Sequence, residues 1–211
     1  MRRVVLILPS GTYRAQDFLA AARALDVEVV VASDEAQAMS GAMGERALLV
    51  DLCDASRGAD AIVALARRHD VDAVVAVDDQ GVEVAARAAR SLGLRHNPPD
   101  AVMATRDKAV MRERLAHAGV PQPDYAVARE GEAAGAAVGL GFPAVVKPTG
   151  LSASRGVIRV DDADEARRAE ARIRDLLVAA GRERSEPLLV ERFVGGPEVA
   201  VEALLENGIV R

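Results

Sequence analysis

Gly141-Phe142-Pro143-Ala144-Val145-Val146-Lys147-Pro148, followed at once by Thr149-Gly150-Leu151-Ser152-Ala153-Ser154-Arg155-Gly156-Val157, is the stretch on which the reading of this chain turns. A short apolar strand over residues 144–147 delivers one lysine, a loop of small residues follows, and a second strand begins at Val157. Small side chains let backbone N–H groups approach an anion closely, and a nearby ammonium supplies the countercharge. At the end of a buried strand, the Lys147 charge is costly unless an anion faces it. The loop is also longer than a hairpin needs, and long ordered loops in compact domains are commonly functional. Phosphate groups are the ligand this arrangement suits; a plain hairpin connection is the reading without function.

The pattern extends outward on both sides. Strands are expected at 125–128, 144–147, 157–160 and 188–191, with helices near 132–140 and 163–180. In the second helix Ala166, Ala169, Ile173, Leu176, Leu177 and Ala180 form an apolar stripe, whereas Arg167, Arg168, Arg172 and Arg174 alternate with acids and read as a solvated face. Downstream, Glu191-Arg192-Phe193-Val194 runs from strand into turn. Such a segment can set backbone N–H and C=O groups along the edge of a base, with Phe193 and Val194 as apolar contacts. Glu198, beyond the hinge-like Gly195-Gly196-Pro197, can accept sugar hydroxyls, although a bare strand end explains the same residues. A further strand is expected over 199–205, and Asn207-Gly208 is a two-residue hairpin signal.

Upstream, residues 1–97 alternate strand and helix. The apolar runs are 4–8, 27–32, 48–50 and 73–77, and the helical stretches are 15–25, 58–69 and 82–92. That alternation predicts a parallel sheet covered on both faces, with right-handed crossovers and a doubly wound open topology. The first turn, Leu8-Pro9-Ser10-Gly11-Thr12-Tyr13, lacks the G-x-G-x-x-G spacing, which disfavours a dinucleotide-dependent oxidoreductase. Ser10, Gly11, Asp78, Asp79 and Gln80 lie where loops leave strand ends and are candidates to face a substrate, or simply solvated turn residues. His96-Asn97-Pro98-Pro99 breaks the pattern, and a helix over 107–118 follows with Met111, Leu115 and Ala118 on one face, stopped by Gly119.

Composition narrows the classes. Net charge is −5 with the two signs interspersed, so no basic stripe points to nucleic acid as the partner. Two Tyr, three Phe and no Trp leave little aromatic surface for base platforms. Cys53 is the one cysteine, so no internal disulfide can form; it reads as a small buried side chain beside Leu52, and a reducing cytoplasm fits. Met1-Arg2-Arg3 precedes an apolar run of five residues ending at Pro9, too short for a secretory signal or a membrane helix.

Taken in order, these segments resemble the ATP-grasp ligases. Arg106-Asp107-Lys108 opening a helix through Leu115, then Ala118-Gly119-Val120-Pro121, looks like the entry helix of that family. Residues 141–148 look like its second lysine strand, 151–157 like its flexible phosphate loop, and 191–198 like its adenine and ribose segment. The resemblance implies an α/β fold in four parts. These are an N-terminal open parallel-sheet domain at 1–97, a linker helix at 98–124, the small α+β lid subdomain at 125–194, and the start of the second ATP-grasp subdomain at 195–211.

The resemblance also implies roles. Lys108 and Lys147 would contact the phosphates of ATP, with Ser152, Ala153, Ser154 and Gly156 folding over them; Glu191, Phe193 and Val194 would hold adenine, and Glu198 the ribose. The chemistry would be phosphoryl transfer to a small-molecule carboxylate and attack by an amine on the acylphosphate, giving a magnesium-dependent, ADP-forming carboxylate–amine ligase. The loop lacks the consecutive glycines of biotin carboxylases and looks more like amino-acid ligases. The family's magnesium ligands and an arginine that meets the acylphosphate are expected beyond residue 211, so no metal ligand or catalytic residue is named. The 211-residue chain alone is then expected to be inactive. A homodimer is compatible with the resemblance, a membrane or nucleic-acid partner is not expected, and the alternative function is a non-catalytic ATP-binding sensor or docking module of the same fold.

Overall fold

The computed structural model describes residues 2–36 and 44–211, and the chain divides into two units, Met1–Arg114 and Leu115–Arg211. In the first unit, strands β1 (Arg2–Ile7), β2 (Val27–Ser33), β3 (Ala47–Leu49) and β4 (Ala73–Ala76) alternate with helices α1 (Ala15–Ala24), α2 (Ala55–Ala66) and α3 (Val82–Ser91). Every pairing is parallel, in the order β3-β2-β1-β4. The cause is legible in the strands. Val4-Val5-Leu6-Ile7 and Val29-Val30-Val31-Ala32 are apolar at each position, so both faces must be covered. Val5, Ile7, Val30 and Ala32 pack with Ile62, Leu65, Val84 and Ala88 on one face. Leu6 and Val31 face Phe18 and Leu19 of α1 on the other.

This order puts the topological switch point between β1 and β4, the place where open α/β sheets commonly receive ligands. Here, however, the polar loop residues are engaged with one another. The Ser10 amide and hydroxyl donate to Asp34 at 2.7 and 3.2 Å, and the Gln80 amide donates to Asp78 at 3.0 Å. Asp79 pairs with Arg106 at 3.2 Å, and Gly11 is exposed. Cys53 departs from expectation: it is exposed rather than buried. The Cys53 and Asp54 amides both donate to the Asp51 carboxylate at 2.9 Å, so a carboxylate-centred turn occupies this segment and leaves the thiol at the surface. Asp54 then caps α2 by accepting from the Ser56 and Arg57 amides.

A helix that the Pro-Pro boundary concealed, α4 (Pro99–Arg106), precedes α5 (Lys108–His117). Proline ends helices but also begins them, since its missing N–H falls where no helical partner exists. Asp107 separates the two helices with extended dihedrals. Its carboxylate accepts from the Ala109 and Val110 amides at 2.8 and 3.2 Å. No residue of α5 is fully buried, and Ala118 lies exposed beyond its end.

The second unit is an antiparallel sheet of order β5-β8-β6-β7, built from β5 (Tyr125–Ala128), β6 (Ala144–Pro148), β7 (Ile158–Val160) and β8 (Leu188–Arg192). Helices α6 (Ala133–Leu140) and α7 (Ala163–Ala179) cover one face. Ala144, Val146, Leu188 and Val190 pack there against Ala133, Ala137, Ala166, Ile173 and Leu177. Asn207 and Gly208 both adopt positive φ between β9 (Leu205–Glu206) and β10 (Ile209–Val210), the turn their pairing predicts. The strand expected over 199–205 is present only at its last residue. Val199 and Val201 are 78% and 83% exposed, and without a neighbouring ladder an alternating sequence gains nothing from extension. Among the described residues no helix is long and apolar enough to cross a membrane.

Arg174 corrects the reading of α7 as solvated on its charged face: its side chain is 1% exposed. It donates to Glu170 at 2.9 Å, to the Arg184 carbonyl at 2.8 Å and to the Glu186 carbonyl. Glu170 accepts in turn from the Gly131 and Ala133 amides at 2.8 and 3.2 Å. One buried ion pair therefore ties the loops before α6 and before β8 to α7. The spacing i, i+4 permitted such a pair. What the sequence hid was that the distant loop carbonyls would complete it.

Two outcomes follow from these contacts. Arg174→Ala strands the Glu170 carboxylate and should cost about 3–5 kcal/mol in urea denaturation, whereas Arg167→Ala, on the exposed face, should leave the midpoint nearly unchanged. Amide hydrogen bonds from Asp54 and then Cys53 hold the Asp51 carboxyl below its ordinary pKa, against the opposing effect of burial and with a lesser contribution from the Arg57 charge. Such a group stabilises the fold above its unfolded pKa, and the contribution disappears as pH falls through the folded value. Asp51→Asn should be less stable than wild type at neutral pH, with the gap closing below about pH 4 in pH-dependent melting.

Candidate nucleotide site

Alternation along β6 and β8 decides what the second sheet presents on the face turned away from α6 and α7. Since Ala144, Val146, Leu188 and Val190 point to the helices, Val145, Lys147, Leu189 and Glu191 point the other way. Lys147 pairs in register with Leu189, and Val145 with Glu191, so Lys147 and Glu191 are diagonal neighbours on that face. Nζ of Lys147 donates to Oε2 of Glu191 at 2.5 Å, with side-chain exposures of 14% and 7%. Lys147 is thus not the unpartnered ammonium that the strand alone predicted. A lysine ammonium carries three protons; beyond the bond to Glu191, no other partner engages it among the described residues.

The loop after β6 is anchored at its ends and open between them. Thr149 and Leu151 are buried, and the Arg182 guanidinium lies against Gly150, where a Cβ would meet Nη2 at 2.6 Å. At the far end Gly156 has φ +76°, and a Cβ there would come within 3.2 Å of Pro148. Ser152, Ala153, Ser154 and Arg155 are exposed, and Ala153 and Ser154 take φ of +55° and +56°. Two turn bonds close this stretch, Arg155 N–H to Ser152 C=O and Val157 N–H to Ser154 C=O, both at 3.3 Å. The amides of Ser152, Ala153, Ser154 and Gly156 have no partner among the described residues. Amides left open in a turn conformation such as this can receive an anion.

At the end of β8 the Phe193 amide donates to the Pro143 carbonyl at 3.0 Å and is committed to the fold. The Val194 amide has no partner among the described residues. The Phe193 and Val194 side chains are 37% and 69% exposed, so apolar surface and a free donor lie side by side. These features fit a nucleoside triphosphate: a cation and open amides for phosphate oxygens, an apolar ring and a lone amide for a base. Glu198 is exposed and outside regular structure. Lys108, half-buried at the start of α5, belongs to the first unit. Among the described residues no group of three or more His, Cys, Asp and Glu side chains could hold a metal ion.

One contact escaped the sequence reading. The guanidinium of Arg159, on β7, lies 4.6 Å from the centre of the Phe193 ring. No local signal announces it, because the two residues meet only through the register of three strands.

Known proteins share this architecture. The family model for the ATP-grasp (A) domain of phosphoribosylglycinamide synthetase matches residues 106–211, and the ATP-grasp N-terminal domain model matches 19–96. Phosphoribosylamine–glycine ligase of Streptomyces coelicolor is 36% identical over 163 residues, covering 75% of this chain and 36% of that protein. D-alanine–D-alanine ligase of Desulforudis audaxviator is 37% identical over 101 residues, covering 46% of this chain and 31% of that protein. The L-amino acid ligase structure from Bacillus licheniformis superposes with a TM-score of 0.69 at 20% identity, covering 93% of this chain and 45% of that one. The chain therefore spans less than half the length of these relatives. The two family models match consecutive parts of the chain, residues 19–96 and 106–211, and the chain belongs to the ATP-grasp family of ligases.

Proposed function

We propose that this chain supplies the ATP-binding part of a carboxylate–amine ligase that forms ADP. The observation that carries the reading is Lys147, held by Glu191 on the face turned away from α6 and α7, at the root of a loop whose amides are open. In this reading Lys147 and Lys108 meet phosphate oxygens, and residues 152–156 close over them through their amides. Glu191 and the Val194 amide meet polar edges of adenine, Phe193 and Val194 cover its ring, and Glu198 accepts the ribose hydroxyls. Phosphoryl transfer leaves a protein little covalent work, so positioning and charge neutralisation are what such a constellation supplies.

The chemistry follows from the substrates. A carboxylate is a poor electrophile. Its oxygen attacks the terminal phosphorus of ATP, the bond to the β-phosphate oxygen breaks, and ADP leaves. An amine nitrogen then attacks the acyl carbon, the carbon–oxygen bond to phosphate breaks, and the amine gives up a proton. Magnesium, when bound, would neutralise the phosphate oxygens; no ligand for it is assigned among the described residues. The likeness to the Bacillus licheniformis L-amino acid ligase and to D-alanine–D-alanine ligases supports an amino acid as the carboxylate.

Calorimetry with ATP tests the binding claim. Lys147→Ala removes charge-assisted contacts worth about 1.5–3 kcal/mol each and should weaken ATP at least about tenfold; unchanged affinity removes Lys147 from the site. The same substitution removes a charge partner from the buried Glu191 carboxylate, so the ligand-free protein should be less stable in denaturation, and Lys147→Ala combined with Glu191→Gln should restore part of the loss. In any preparation that turns over, a heavy-oxygen label on the substrate carboxylate should appear in the released phosphate. Its absence there would exclude an acylphosphate.

A further inference from the structure

The sheet face turned away from α6 and α7 carries a second basic group that the phosphate reading does not use. Register aligns Tyr125, Glu191, Val145 and Arg159 in one row across β5, β8, β6 and β7. Arg159 therefore shares the face of Lys147 and Glu191. Its guanidinium is held from below by Asp161, to which Nη2 and Nε donate at 2.9 and 3.1 Å. It stacks on the Phe193 ring, 4.6 Å from the centroid, while the Phe193 amide is fixed to the Pro143 carbonyl. The ring is 37% exposed. A ring that free would normally sample several rotamers and would lose that freedom on receiving a ligand. Here one face is already occupied by a planar cation that pairs at the surface with Asp161.

We infer that Arg159 is a positioning residue for the base. Its guanidinium fixes the plane of Phe193, so that the uncovered part of the ring stands as a preset wall against which a purine can lie. This inference rests on the nucleotide reading above and adds to it a residue that meets no ligand atom. The rival role for Arg159 is a direct phosphate contact, since β7 begins just after the loop at 152–156. The two differ in which part of the nucleotide they affect.

The test uses Arg159→Ala and Arg159→Lys, calorimetry with ATP and with inorganic tripolyphosphate, and NMR of ring-labelled phenylalanine in the ligand-free protein. Three phenylalanines make the Phe193 resonances assignable. Arg159→Ala should weaken ATP about two- to fivefold, the scale of one exposed cation–ring contact, and leave tripolyphosphate unchanged. Arg159→Lys should recover only part of the loss, because an ammonium is not planar. Phe193 resonances should shift in both variants without ligand. Equal losses for ATP and tripolyphosphate would make Arg159 a phosphate ligand and overturn the inference, as would full ATP affinity with shifted Phe193 signals. Unshifted signals would deny the stack whatever the ligand result. Wild-type protein that fails to bind ATP would instead sink the nucleotide reading, and the inference with it.

Discussion

A charge pair buried on the sheet face turned away from α6 and α7 is the constraint around which the second unit is arranged. Taking Lys147 and Glu191 out of water costs several kcal/mol per ion before their attraction offsets it, and apolar residues of similar size would commonly give an equal or more stable sheet. Stability therefore does not account for the pair. Its placement does. The diagonal bond joins β6, whose end becomes the loop of open amides, to β8, whose end becomes the Phe193–Val194 segment. It fixes the direction of the ammonium while leaving two of its protons uncommitted. A lysine in that state is oriented but unsatisfied, which is what a phosphate oxygen requires.

The other buried pair in this unit makes the contrast plain. Glu170 and Arg174 are as deeply placed, yet their polar atoms are spent on backbone: two amides on the acid, two carbonyls on the base. Most of their capacity is committed to one another and to backbone, and the pair serves to pin loops. Buried charge alone does not distinguish structural from binding roles. The distinction lies in how much donor or acceptor capacity remains, and toward which face it points.

The same distinction explains what could be read from the sequence. Strands and helices of both units were legible because β-branched runs, Gly stops and the Asn207-Gly208 pair act locally. The candidate site was legible as a list of residues, because Lys147, the small-residue loop and the segment from Glu191 to Val194 follow one another in a fixed order. Partners were not legible. Which residue meets Lys147, whether Arg174 faces water, and what lies beside Phe193 all depend on strand register or on loops tens of residues away. Cys53 was misplaced because a turn centred on Asp51 overrode its apolar character, and α4 was hidden because Pro98-Pro99 reads equally as an end or a beginning. The valines at 199 and 201 alternate like a strand but have no ladder beside them, so pattern without a partner did not suffice.

The loop composition itself carries a last physical consequence. A run of glycines would reach left-handed dihedrals freely but would lose the most entropy on becoming ordered around a ligand. Ala153 and Ser154 hold such dihedrals already, at a strain of roughly 1–2 kcal/mol per residue. That strain is borne by the ligand-free fold rather than charged to binding, and the anchors at Gly150 and Gly156 keep the ends from relaxing it away. The loop thus trades some stability for a smaller ordering cost when an anion arrives. Small side chains still leave the amides within reach of phosphate oxygens, while their Cβ atoms restrict the backbone to few alternatives. Under the proposed nucleotide reading, a loop without consecutive glycines would be a partly preorganised phosphate cradle, and the oriented ammonium at its root would be preorganised in the same sense.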